Sequence, residues 1–145
     1  MTRLLLDTNI VSELVKPRPE PLVAGFIAAT PLDRLYLTEI TFAEIRFGIE
    51  RQPDAVKRAA LVSWLDHQLR PMFEDRVLAL DEEVILRWRL MVEEGRKQGR
   101  TYSQPDLFIA ACAAVHGLIV VTRNEADFEG TSVEVFNPWK GPQAA

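Results

Sequence analysis

Short apolar runs of β type alternate along the chain with segments whose apolar residues recur at helical spacing. This alternation constrains the fold more than any single motif. Parallel strands need a crossover of helix length between them, so the pattern predicts an α/β fold with a parallel sheet covered on both faces. The β-type runs fall at residues 4–6, 35–38, 77–80, 118–122 and 133–136. Helices are predicted over 8–15, 22–29, 41–51, 55–69, 82–98 and 105–116. Phe42, Ile45 and Ile49 share one helical face. Val56, Ala60, Leu61 and Trp64 are expected to point inward, as are Val84, Ile85, Trp88, Met91 and Val92. Both tryptophan stripes read as core. Pro17, Pro19 and Pro21 alternate through one segment and must interrupt helix there.

The 145 residues suit one domain, expected over 1–140, and 141–145 read as a frayed tail. No repeat or internal linker divides the chain. Its single cysteine, Cys112, excludes an internal disulfide and lies in an alanine-rich helix, where a buried thiol is expected. No apolar stretch approaches the length of a membrane span, and the apolar run before Asp7 is too short for a signal peptide. A reducing, cytoplasmic location is expected. The net charge of -4 disfavours gripping nucleic acid by bulk charge. If RNA is the substrate, local arginines or bound cations must offset the repulsion.

In an open parallel sheet, ligands bind beyond the carboxyl ends of the strands, where strand order reverses. Asp7 directly follows the first run. Glu44 lies one turn into the helix after the second. Asp106 lies in the first turn of the helix before the fourth, and Asn124 and Asp127 follow that run. Each acid has a plainer reading. Thr41-Phe42-Ala43-Glu44 is a capping-box pattern, Ser103-Gln104-Pro105-Asp106 is related to one, and Asp7 could be a simple N-cap. Their shared position at one sheet edge favours a site. Carboxylates that converge need a cation between them, or one must become neutral. Magnesium prefers such oxygen donors. His67 and His116 are isolated and a lone cysteine forms no cluster, so zinc has no ligand set.

These residues resemble the PIN-domain family, specifically the VapC-type and FitB-like toxins of bacterial toxin–antitoxin pairs. Four segments carry the resemblance: Leu5-Leu6-Asp7-Thr8-Asn9 with Ser12-Glu13; Ile40 through Gly48 around Glu44; Asp106-Leu107-Phe108-Ile109-Ala110-Ala111; and Val121 through Phe128 with Val135-Phe136-Asn137-Pro138-Trp139. The resemblance implies a PIN-like three-layer fold with a central five-stranded parallel sheet flanked by helices. It implies an endoribonuclease dependent on Mg, with Mn as an alternative, and products bearing 3′-hydroxyl and 5′-phosphate ends. Asp7, Glu44 and Asp106 match the family's acidic positions. Some FitB-like members carry an aspartate where this chain has Asn124, so Asp127 or Asn124 is expected to complete the site. Thr8, Asn9, Ser12 and Thr122 match its supporting polar positions. The resemblance also implies a small DNA-binding antitoxin as partner, and a homodimer or toxin–antitoxin hetero-oligomer.

Asp7 and Asp106 are expected to bind the metal most directly, Glu44 to bind the ion or its water, and Asp127 to complete the outer shell. Arg46 and Arg123 lie within the site motifs and are candidate phosphate contacts. Arg87, Arg89, Arg96, Lys97 and Arg100 form the densest basic segment, better read as a solvated helix face because Glu93 and Glu94 interrupt it. The alternatives are a HAD-like phosphatase, which needs a second aspartate where Asn9 stands, a receiver domain, which needs paired acids near its first strand, and a non-catalytic PIN-fold binding module whose acids only cap helices.

Overall fold

A computed structural model describes residues 2–142. The chain runs β1 (Leu4–Leu6), α1 (Thr8–Leu14), α2 (Pro21–Ala29), β2 (Leu35–Thr38), α3 (Glu39–Glu50), α4 (Ala55–Trp64), α5 (Arg70–Met72), β3 (Val77–Leu78), α6 (Glu82–Lys97), α7 (Gln104–His116), β4 (Ile119–Val121) and β5 (Val135–Phe136). The five strands lie in the order β3-β2-β1-β4-β5, and every neighbouring pair is parallel. β1 therefore occupies the centre. Leu4 pairs with Leu35 on one side and Ile119 on the other.

The two-residue side-chain period divides the interior into two cores. Leu4, Leu6, Leu35, Leu37 and Val121 face Ile10, Val11, Phe42 and Ile49 of α1 and α3. Leu5 and Val120 face Leu107, Ile109, Ala110 and Ala111 of α7, with Val84 and Met91 of α6 behind them. Small side chains along α7 let it lie close to the sheet, and Trp88 of α6 stacks on Phe108 at 4.6 Å. α7 stops where Gly117 takes a left-handed conformation (φ 68°) and its amide bonds the Ala113 carbonyl.

Several expectations need correction. The helix predicted over 55–69 does not continue regularly: α4 widens into a π-type turn at Leu65–Leu69 before α5. Within α4 itself no residue is fully buried: Val56 is 80% exposed and Ala60 is also exposed, while Leu61 and Trp64 pack against the core. Ile85 is 46% exposed because Val84, Trp88 and Met91 already fill the seam with α7. The third and fifth strands are shorter than expected, as edge strands often are. The three alternating prolines lead into α2, with Pro21 in its first turn. Of the predicted tail, Gly141 bonds the Pro138 carbonyl at 3.1 Å, and residues 143–145 lie outside the described residues.

The link between α6 and α7 is wedged in place. Tyr102 donates through its hydroxyl to the Glu129 carbonyl at 3.0 Å, and Arg100 Nη1 donates to the same oxygen at 3.0 Å. A Cβ at Gly95 would stand 2.7 Å from the Tyr102 ring and 3.3 Å from the Arg100 carbonyl oxygen. Alanine normally favours helix over glycine by about 1 kcal/mol. Here overpacking, which costs about 1–3 kcal/mol, should prevail. Gly95→Ala is expected to lower stability by about 1 kcal/mol in urea denaturation. A more stable variant would show that Tyr102 swings aside freely.

Candidate active site at the carboxyl end of the sheet

The strand order reverses between β1 and β4, and the chain leaving each strand opens an adjoining cavity of about 360 Å³. Asp7, Thr8, Asn9 and Ser12 line it from α1 and its approach, Glu44 from α3, Asp106 from α7, and Arg123 and Asn124 from the loop after β4. Asp127 lies in the next turn, Glu125–Phe128, where its charge bears on both Asp7 and Asp106.

Asp7 continues the β1 ladder, its amide donating to Val121 at 2.9 Å, and then caps α1 by accepting from the Thr8 amide at 2.7 Å. It is only 3% exposed. Its other carboxylate oxygen accepts from the Thr122 hydroxyl at 2.7 Å and from Asn9 Nδ2 at 3.3 Å. Asn9 also donates to Thr122 Oγ1 at 3.1 Å and accepts from the Arg123 amide at 3.3 Å, bracing α1 against the β4 loop. Thr122 is wholly buried and also accepts from the Asn124 amide at 3.0 Å.

Thr8 Oγ1 donates to Glu44 Oε1 at 2.6 Å and lies 3.2 Å from Thr41 Oγ1. The expected capping box is not the one used. α3 begins earlier, at Glu39, and its cap is Thr38, which accepts from the Thr41 amide at 3.1 Å. Glu44 is thereby free of a capping role. Ser103 precedes α7 without a side-chain cap bond to the backbone.

Removing Thr122's hydroxyl tests the brace. Thr122→Val keeps the volume but leaves the buried Asp7 carboxylate without its nearest side-chain donor and Asn9 with Asp7 as its remaining acceptor. It is expected to cost about 1–3 kcal/mol by urea denaturation. A neutral result would reduce Thr122 to space filling.

The electrostatics follow from burial and like charge. Burial raises the pKa of Asp7; bonds from Thr122 and Thr8 oppose this, and Glu44 and Asp127 add repulsion. Asp106 is pushed up to about 6, first by burial and then by the charges of Asp7 and Asp127, with a Ser103 hydrogen bond opposing and Glu44 contributing. Cys112 is buried in α7, and burial pushes its thiol up to about 12, so it is inert at neutral pH.

The lining supplies carboxylate, hydroxyl and amide oxygens, with no thiol or imidazole. Hard donors of this kind suit Mg²⁺ or Mn²⁺. Among the described residues no three carboxylates stand close enough to hold one ion together. The fit is therefore to an ion held by one or two carboxylates with water completing its shell, the usual habit of magnesium.

Arg46 lies away from this cavity, and so does the basic segment of α6, as expected of a solvated helix face. Arg46 is two residues from Glu44, so it points to the other side of α3, into a cavity with Glu39, Phe42, Arg70 and Glu74. The basic segment of α6 lines no part of the acidic cavity. Arg89 and Arg96 flank Glu93 at 3.3 and 3.4 Å, and Lys97 lies 4.0 Å from Glu94.

Glu13, Lys16 and Trp139 also line the cavity. Their roles were not singled out from the sequence. The available signal was spacing: Asn9, Ser12, Glu13 and Lys16 recur at helical intervals on one side of α1. Trp139 stands in a segment that carries the family resemblance, but nothing in Val135-Phe136-Asn137-Pro138-Trp139 marks it as lining the cavity.

Comparison with known proteins adds the lineage. The PIN domain matches residues 4–133. The chain belongs to the PIN-domain family. Among similar proteins, VapC ribonuclease Y4jK of Sinorhizobium fredii is 34% identical over 137 residues, spanning 94% of this chain and 98% of that one. Toxin FitB of Neisseria gonorrhoeae is 35% identical over 136 residues, spanning 94% and 98%. The solved structure of FitAcB from Neisseria gonorrhoeae contains a chain that superposes with a TM-score of 0.90 at 34% identity, again covering 94% and 98%. This PIN domain thus has the three-layer α/β architecture expected, and Asp7, Glu44 and Asp106 line one cavity in it.

Proposed function

We propose that the protein is a divalent-metal-dependent endoribonuclease, the toxin of a toxin–antitoxin pair. The observation that carries this reading is the shared cavity of Asp7, Glu44 and Asp106 at the β1/β4 switch, where like charge and burial raise the pKa values of both aspartates. The relatives named VapC ribonuclease and Toxin FitB support it. Mg²⁺ is the expected ion, with Mn²⁺ as an alternative.

Asp7 and Asp106 would hold the ion, with Asp127 adding negative charge behind them. When bound, the ion supplies Lewis-acid polarisation of the phosphoryl group and makes water a better nucleophile. Glu44 has one oxygen fixed by Thr8, which leaves the other to accept a hydrogen bond from the attacking water and orient it. In-line attack on the phosphodiester releases a 3′-hydroxyl and leaves a 5′-phosphate. Asn9 occupies the place of a phosphatase's second aspartate and is committed to bracing Asp7 and Thr122, which argues against a HAD-like enzyme.

The same reading includes a small DNA-binding antitoxin as partner and assembly with it or as a homodimer. Its support is the solved structure of FitAB bound to a DNA fragment, which contains a chain 32% identical to this one with a TM-score of 0.91. A cationic side chain from the partner would neutralise the acidic cavity much as a metal would. No helix among the described residues is long and apolar enough to cross a membrane, in keeping with a proposed cytoplasmic location.

The direct test is incubation with total RNA in Mg²⁺, Mn²⁺ or EDTA, followed by end mapping. Cleavage only with a divalent ion, leaving 5′-phosphates, is expected. Intact RNA under all conditions, or equal cleavage in EDTA, would overturn the reading.

A further inference from the structure

The lining of the acidic cavity also includes two cations and an indole, Lys16, Arg123 and Trp139. Glu13 is the local counter-charge, but both its oxygens are engaged: one by Lys16 Nζ at 2.8 Å, the other by the Glu20 amide at 2.9 Å. The Arg123 guanidinium has no carboxylate within ion-pair distance among the described residues. It is held over the Trp139 ring, 5.3 Å from the ring centroid. Two bonds fix that platform: Asn137 accepts from the Trp139 amide at 2.9 Å and donates to the Arg123 carbonyl at 3.3 Å. Arg123 immediately follows Thr122, which bonds Asp7, so the cation is fixed close to the carboxylates.

We propose that this part of the lining is a subsite for the phosphate of the nucleotide next to the scissile phosphodiester in single-stranded RNA. Arg123 is its principal ligand, Lys16 its second cation, and Trp139 the positioning residue over whose ring the guanidinium is held. A flat, unpaired guanidinium offers the forked donors that match phosphate oxygens. In a chain of net charge -4, it also supplies the local attraction that bulk charge does not. The proposal deepens the ribonuclease reading and rests on it.

The test measures single-stranded RNA binding by fluorescence anisotropy across a salt series. An Asp106→Asn background stops turnover. Adding Arg123→Gln is expected to weaken binding about tenfold, in the range for loss of a charge-assisted hydrogen bond. It should flatten the slope of log affinity against log salt by about 0.7, the value for one lost contact to single-stranded RNA. Trp139→Leu should weaken binding in the same direction, with Trp139→Phe restoring most of it. Lys57→Gln removes the same charge from the exposed first turn of α4 and should change neither quantity. Melting temperatures confirm that each variant is folded. An unchanged slope in folded Arg123→Gln overturns the subsite, as does a loss of affinity for an acidic peptide without a loss for RNA. Wild-type protein that cleaves RNA while Arg123→Gln binds normally sinks the subsite alone. Wild-type protein that neither binds nor cleaves RNA sinks the ribonuclease reading with it.

Discussion

Asp7→Asn is expected to reduce RNA cleavage by at least about a thousandfold, or roughly 4 kcal/mol of transition-state stabilisation. The same change should leave the protein folded. Asp7 is buried, and its charge is opposed by Glu44 and Asp127. Its hydrogen bonds with Thr8 and Thr122 favour ionisation, yet burial dominates and the pKa is raised. The fold therefore prefers the neutral side chain, which asparagine imitates. In EDTA the variant should melt at or above the wild-type temperature, in spite of the disturbed bond to Thr122. Loss of activity without loss of stability is the signature of a carboxylate retained for chemistry. Full metal-dependent cleavage by Asp7→Asn, measured on the same RNA, would remove Asp7 from the mechanism.

The second large effect concerns Asp106 and pH. Its carboxyl is pushed from the ordinary 3.8 up to about 6 in the folded chain. A group raised in this way stabilises the fold fully below its unfolded value and ceases to do so as pH rises through its folded value. Metal-free protein should therefore lose stability between about pH 4 and pH 6. The full shift corresponds to about 3 kcal/mol, which solvent screening of a half-exposed carboxyl reduces to about 1–2 kcal/mol. Above pH 6, Mg²⁺ should restore stability by binding the ionised carboxylates, by about 2.7 kcal/mol at a hundredfold excess over Kd. Thermal melts from pH 4 to 8, with EDTA or Mg²⁺, measure both effects. Asp106→Asn should flatten the EDTA profile, leaving the part due to Asp7, and should remove most of the Mg²⁺ response. A flat wild-type profile in EDTA, together with no response to Mg²⁺ beyond that of salt, would leave Asp7 a helix cap and Asp106 without a metal-binding role.

The fold was legible wherever a local pattern coincided with a tertiary one. Leu4-Leu5-Leu6 and Ile119-Val120-Val121 are β-type runs that the sheet buries on both faces, so composition and environment agree. The small-residue pattern of α7 announced close packing, which the structure has. The helix after residue 55 was harder to read. A π-type turn shifts the side-chain phase without any proline or glycine at Leu65–Leu69 to mark it. In the site, the three acids stood out because each follows or precedes a strand. Arg46 misled because its distance from Glu44 in sequence is short while its angle around α3 is large. Glu13 and Lys16 were obscured because their ion pair looks, in sequence, like an ordinary surface i,i+3 pair.

The middle position of β1 also bears on biosynthesis. This strand leaves the ribosome long before one of its two neighbours, β4, which begins at Ile119 and is followed by Thr122, the brace of Asp7. Contacts this distant in sequence form late. A nascent chain must extend through β4 before β1 gains that neighbour and the acidic residues are drawn together, so products truncated ahead of β4 should lack the assembled cavity.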